Sequence, residues 1–191
     1  MPGSDPATDR SAFLAEAARG SEAFGGSTFI PLWKRWPADL ETPLSTWLKV
    51  GAGGHQGVLL ESVEGGERLG RWSVVVGDPL WTLTCRGQNA LQQWRDGRSE
   101  ALQGNPFELL RKCLAPIRPA PVPELPPLGQ LFGAWGYELI RWIEPRVPVH
   151  APAAGDPPDG NWMLADSLLV FDQVKRQITA VAYVNLAEQA G

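Results

Sequence analysis

The sequence predicts an α+β protein with a largely antiparallel sheet, or two packed sheets, and helices at the periphery. Three observations carry that expectation. Short apolar and β-branched runs recur between turn signals, as at Val58–Ser62, Trp72–Val76 and Trp81–Arg86. The connections between neighbouring runs are mostly short, which suits antiparallel pairing. Nine tryptophans, 21 glycines and 18 prolines in 191 residues favour pleated surfaces and turns over a helical bundle.

Residues 1–8 carry no structural signal. Asp9–Arg19 reads as a short helix, because Phe13/Ala17 and Leu14/Ala18 share a face at spacing four and Gly20 can end it. Thr28–Trp33 is apolar enough for a strand. Thr42-Pro43 starts a helix, with Thr as cap, Pro at the first position and Leu44, Trp47 and Leu48 on one side, and Gly51 stops it. Gly53–Gly57 is a flexible turn into the Val58–Ser62 strand. Glu64-Gly65-Gly66-Glu67 then makes a hairpin with Trp72–Val76.

Trp81–Arg86 and Ala90–Trp94 are further strands, and Asp96-Gly97 is a turn. Asn105-Pro106-Phe107-Glu108 opens a second helix, in which Glu108 is placed to reach back to the capping residue. Pro116–Pro127 is too proline-dense for regular structure. Leu131–Tyr137 is a glycine-interrupted strand, Glu138–Ile143 one or two helical turns, and Pro145–Asp159 a loop. Ser167–Phe171 and Gln177–Asn185 alternate as a hairpin joined by Asp172–Arg176.

Composition excludes several function classes. The net charge of -4, the pI near 5.2 and the absence of any basic cluster argue against a nucleic-acid partner. No apolar run approaches a membrane span, and Met1–Arg10 lacks the apolar segment of a secretory signal, so a soluble, cytoplasmic protein is expected. Cys85 and Cys113 lack metal spacing and read as free structural thiols. Gly51–Gly57 precedes a strand and lacks a Lys-Ser/Thr pair, so it is a mobile turn and not a phosphate loop. His55 and His150 are loop residues without ligand or nucleophile companions. No catalytic set can be assembled, and no metal or cofactor is expected to bind this chain.

One constellation remains. In Val58-Leu59-Leu60-Glu61-Ser62 a carboxylate interrupts an apolar run, where it is costly unless paired. The following Gly70-Arg71-Trp72-Ser73 supplies a cation on the neighbouring strand of the expected hairpin. An acceptor, a hydroxyl and a guanidinium together suit a zwitterion such as a free amino acid. The plainer reading is a strand end whose Glu faces water, beside an exposed Arg.

Six separated blocks then resemble, in order, the N-terminal domain of anthranilate synthase component I. They are Ile30-Pro31-Leu32-Trp33, Ala38-Asp39-Leu40-Glu41-Thr42-Pro43-Leu44-Ser45, Leu59-Leu60-Glu61-Ser62-Val63-Glu64, Gly70-Arg71-Trp72-Ser73 with Val76-Gly77-Asp78-Pro79, Gly133–Arg141 and Leu169–Arg176. The resemblance covers about residues 11–186. It departs at Trp72, where Tyr or Phe is usual, at Glu138, where Asp is usual, and at the inserted Gly53–Gln56.

The resemblance implies a regulatory domain at 11–186, after the disordered tail expected at 1–10, and at 187–191 the start of a linker to a chorismate-binding catalytic domain that these residues do not contain. Complete enzymes of the family convert chorismate to anthranilate for tryptophan synthesis, with Mg2+ in that catalytic domain and ammonia from a glutamine amidotransferase subunit. By resemblance, Leu60, Glu61 and Ser62 belong to the feedback site for L-tryptophan, and Arg71 joins them by its place on the neighbouring strand. The N-terminal domain of aminodeoxychorismate synthase component I and a stand-alone tryptophan-binding module are the alternatives.

Overall fold

The computed structural model describes residues 13, 15, 17, 21–51, 56–61, 70–148 and 155–186. In chain order its elements are a 3-10 turn at Ser21–Phe24, β1 (Phe29–Pro37), α1 (Pro43–Gly51), β2 (Gly57–Leu60), β3 (Trp72–Gly77), β4 (Trp81–Arg86) and β5 (Asn89–Trp94). Then follow β6 (Ser99–Gln103), α2 (Pro106–Leu114), β7 (Leu131–Trp135), a 3-10 turn at Tyr137–Leu139, α3 (Ile140–Ile143), β8 (Gly160–Leu164), β9 (Ser167–Asp172) and β10 (Gln177–Asn185). The strands form two five-stranded antiparallel sheets, in the orders β1-β10-β9-β3-β2 and β6-β5-β4-β8-β7. This is the α+β architecture the sequence predicts.

The chain divides into two compact units. The first comprises Met1–Asp78, Pro116–Leu128 and Asp166–Gly191, and the second Pro79–Ala115 and Gly129–Ala165. The segments placed at 1–10 and 187–191 lie outside the described residues, and of the Asp9–Arg19 helix Phe13, Ala15 and Ala17 are described as helical.

In the first unit, β1 is an edge strand carrying Pro31, Pro37, Lys34 and Arg35, which discourage pairing with a further strand. α1 is closed at its start by a reciprocal cap: the Ser45 N–H donates to Thr42 Oγ1 at 3.0 Å, and the Thr42 N–H to Ser45 Oγ at 2.9 Å. It lies over one face of the sheet, where Val75, Phe171 and Ile178 are buried and Trp47, Leu59 and Leu169 pack against them. Two glycines permit that approach. A Cβ at Gly57 would lie 2.4 Å from the Val76 carbonyl oxygen and 2.7 Å from the Trp47 ring, and one at Gly77 2.3 Å from Val50 Cγ1. The proline-dense segment is irregular as expected. Glu124 ties it to the sheet by bridging Arg35 at 3.4 Å and Lys175 at 3.1 Å.

In the second unit, Trp81, Leu83, Cys85 and Leu164 are buried on one sheet face. Phe107 of α2 packs tilted against Trp135, which meets Trp162 edge-on, with both centroid separations 5.2 Å. α2 starts as expected at Asn105, whose side-chain oxygen accepts the Phe107 N–H at 2.9 Å. Glu108 does not reach back to that cap. It pairs with Arg111 one turn on, and the long side chains meet more readily along the exposed helix surface. Two strands were not expected, the polar edge strand β6 and the central strand β8.

Candidate functional site

The four residues singled out fare differently. Leu60 is the last residue of β2 and is 50% exposed. It pairs with Val74, and Trp72 on the same side of β3 pairs with Asp172. Leu60, Trp72 and Asp172 therefore share one face of the first sheet, opposite the face that buries Leu59 under α1. Glu61 follows the end of the ladder and is exposed. The expectation that its carboxylate needs a buried partner is corrected: the strand ends one residue before it, so water solvates the charge. Ser62 lies outside the described residues, as do Glu64, His55 and His150.

Arg71 is not the exposed cation of the plainer reading. Its Nε and Nη2 donate to Asp172 Oδ1 at 3.1 Å and Oδ2 at 2.6 Å, a two-pronged pairing, and its guanidinium lies 4.5 Å from the Trp72 ring centroid. The Asp172 side chain is 7% exposed and Arg71 30%. Asp172 Oδ1 also accepts the N–H groups of Val174 at 3.1 Å and Lys175 at 3.0 Å, which fixes the turn into β10. Burial alone would raise the Asp172 carboxyl. The Arg71 hydrogen bond and the two backbone N–H groups outweigh it and hold the group below the usual carboxylate range. Gln173 closes the arrangement: its N–H donates to the Arg71 carbonyl at 2.8 Å and its side-chain amide to the buried Ser73 hydroxyl at 3.3 Å.

Sequence reasoning missed Asp172. The signal was present: Asp172 shares the inward parity of Leu168 and Val170, so an acid there had to be covered and paired.

Among the described residues, two cavities of the first unit border this region. One of about 310 Å3 is lined by Asp39, Glu41, Thr42, Asp172, Gln173 and Arg176. Two of its carboxylates are engaged, Glu41 by Ser45 and Lys49 and Asp172 by Arg71. The other, about 510 Å3 and apolar, is bordered by Leu32, Lys34, Val50, Leu169 and Ala180. It opens on the face that α1 partly covers, away from Leu60 and Trp72.

The thiols are free, Cys85 buried and Cys113 half-buried. Burial pushes Cys85 up to about 11, helped by Cys113 and Asp159, and raises Cys113 as well, so both are poor nucleophiles. Buried Asp159 is paired with Arg141 at 2.5 Å and accepts the Gly87 N–H at 2.5 Å, a closed structural set in the second unit. Among the described residues no group of three or more His, Cys, Asp or Glu could hold a metal, and no helix is long and apolar enough to cross a membrane.

Comparison with known proteins identifies what carries this geometry. Anthranilate synthase component 1 of Synechocystis sp. is 55% identical over 159 residues, covering 83% of this chain and 31% of that protein. The chain belongs to the anthranilate synthase component I family. It spans about a third of the length of the curated relatives it matches and corresponds to their N-terminal part. The component 1 protein of Cereibacter sphaeroides is 38% identical over 79% of the chain and 31% of its own length, and that of Pseudomonas aeruginosa 32% identical over 95% and 36%. The crystal structure of anthranilate synthase component I from Streptococcus pneumoniae shares the fold, with a TM-score of 0.50 at 22% identity, covering 81% of this chain and 32% of that one. No family profile matches the chain.

Proposed function

We propose that this chain is the tryptophan-sensing, non-catalytic N-terminal part of an anthranilate synthase component I. L-tryptophan is the ligand, and a chorismate-binding catalytic domain and a glutamine amidotransferase subunit are the partners in the complete enzyme. Mg2+ belongs to that catalytic domain. The observation that carries the reading is the end of β2. There Leu60 emerges into solvent from an ordered ladder, on the face that presents Trp72 and the Asp172-anchored Arg71, and the exposed Glu61 follows it directly.

The Glu61 carboxylate and the Ser62 hydroxyl are the chemical types that accept from an ammonium group, and an exposed apolar side chain such as Leu60 suits an indole. Binding there favours a state of the complete enzyme that does not close on chorismate, which requires only that the two states differ in affinity for the amino acid.

The test uses an enzyme in which this chain replaces the matching N-terminal portion of the Synechocystis relative. Ammonia-dependent anthranilate formation is expected to be inhibited by L-tryptophan. Ser62→Ala should raise the inhibitory concentration roughly tenfold or more while the uninhibited rate stays the same. Equal sensitivity in the variant removes Ser62 from the site.

A further inference from the structure

The cavity of about 310 Å3 at the start of α1 lies wholly within the first unit, between the turn that carries Asp39 and the hairpin of β9 and β10. Ligand pockets run from roughly 300 to 1,000 Å3, so it suits a small molecule. Four charged side chains border it. Two are already neutralised, Glu41 by Lys49 and Asp172 by Arg71. The other two, Asp39 and Arg176, are exposed, and among the described residues they pair neither with each other nor with any third group. Arg176 also holds φ at 50°, in the left-handed region that glycine enters without steric cost. Its backbone carbonyl accepts the Ala38 N–H at 2.8 Å, which ties the two walls together. Two neutral groups have capacity to spare. The Thr42 hydroxyl accepts the Ser45 N–H and keeps its own proton to donate, and Gln173 uses its amide nitrogen on Ser73, which leaves the amide oxygen. Pro43 and Phe171 are buried beneath them and supply apolar surface.

We propose that this cavity binds a free α-amino acid with a small apolar side chain, at a site other than the end of β2. The unpaired charges select that class. A simple anion drawn to Arg176 meets Asp39 as well, and a simple cation drawn to Asp39 meets Arg176. A zwitterion satisfies both. Its carboxylate takes the guanidinium in a two-pronged pairing with the Thr42 hydroxyl beside it, and its ammonium donates to Asp39 and to the Gln173 amide oxygen. The short side chain lies against Pro43 and Phe171. This site and the tryptophan site proposed above meet only through the Arg71–Asp172 pair, and the inference stands without the tryptophan reading.

Titration of L-valine into the 15N-labelled 191-residue chain, followed by NMR, tests it. Saturable shifts are expected at the backbone amides of Ala38 and Gln173 and at the Arg176 Nε–H, half-maximal at roughly 1 mM for so small a ligand. Two analogues separate the charges. Isovalerate lacks the ammonium and isobutylamine lacks the carboxylate, and each should bind roughly fivefold more weakly or worse. Arg176→Gly suits the left-handed turn, so it should melt no lower than the wild type by circular dichroism while losing roughly fivefold or more in affinity for L-valine. Asp39→Asn should lose as much, because its exposed side chain holds nothing in the fold. Glu61→Gln should bind L-valine as the wild type does. The absence of saturable shifts at these residues overturns the proposal. So does unchanged affinity in either Arg176→Gly or Asp39→Asn, an analogue that binds as tightly as L-valine, or a loss of binding in Glu61→Gln.

Discussion

Arg71 and Asp172 lie 101 positions apart in the chain and meet through both prongs of the guanidinium, at 3.1 and 2.6 Å, joining the residue just before β3 to the last residue of β9. Asp172 does two tasks. It holds Arg71 against Trp72, and it accepts two turn N–H groups. Asp172→Ala abandons all of these and is expected to cost about 2–4 kcal/mol in urea unfolding. Asp172→Asn keeps an oxygen for the turn and should cost less than half as much. Equal losses would mean that the ion pair, and not the turn, carries the effect.

The same pair sets an acid limit. Asp172 titrates below its ordinary value in the folded chain, so its stabilising contribution is present above the unfolded value of about 3.9 and disappears as pH falls through the folded one. Between neutral pH and roughly pH 5 this group should leave stability unchanged, with the loss beginning below about pH 4. Urea midpoints for the wild type and Asp172→Asn should converge as the solution is acidified.

An alkaline limit comes from the thiols. The folded Cys85 thiol sits near 11 against a usual 9.0, and burial raises Cys113 in the same direction. Their stabilisation is complete below pH 9.0 and is lost as pH rises towards the folded values, at about 1.4 kcal/mol per pH unit for a group raised this far. Cys85→Ala is expected to flatten the fall of unfolding free energy between pH 9 and 10, an interval below the raised Tyr183 hydroxyl. An unchanged slope contradicts the assignment.

The seat of α1 ranks two glycines. A Cβ at Gly57 meets a backbone carbonyl as well as the Trp47 ring, and neither retreats cheaply. At Gly77 it meets the tip of Val50, which is 36% exposed and free to turn away. Gly57→Ala should therefore cost about 2–3 kcal/mol and Gly77→Ala about 1 kcal/mol or less, measured by thermal unfolding.

Local signals carried much of the fold. Thr42-Pro43 and Asn105-Pro106 announce their helices because cap and proline chemistry act within three residues, the β9–β10 pairing follows from alternation on either side of a short connection, and β2 and β3 are successive strands. β6 escaped notice because Ser99-Glu100-Ala101-Leu102-Gln103 is polar and has low strand preference; its place comes from the ladder with β5. β8 follows a proline-rich loop and opens with a glycine, yet it is central, between β4 and β7. The neighbours β1–β10 and β3–β9 are remote in sequence, and no local pattern encodes them. The site was legible in part for the same reason. Leu60 and Arg71 stand out along the chain, whereas the residue that fixes Arg71 is reached only through the sheet.

The most direct measurement of the central claim is calorimetric titration of L-tryptophan into the enzyme in which this chain replaces the matching N-terminal portion of the Synechocystis relative. Saturable binding at one site per chain is expected, weakened roughly tenfold or more by Glu61→Gln and again by Ser62→Ala. Binding of equal strength in the wild type and both variants, or no binding by a folded enzyme that makes anthranilate, contradicts the assignment of this chain as the tryptophan sensor.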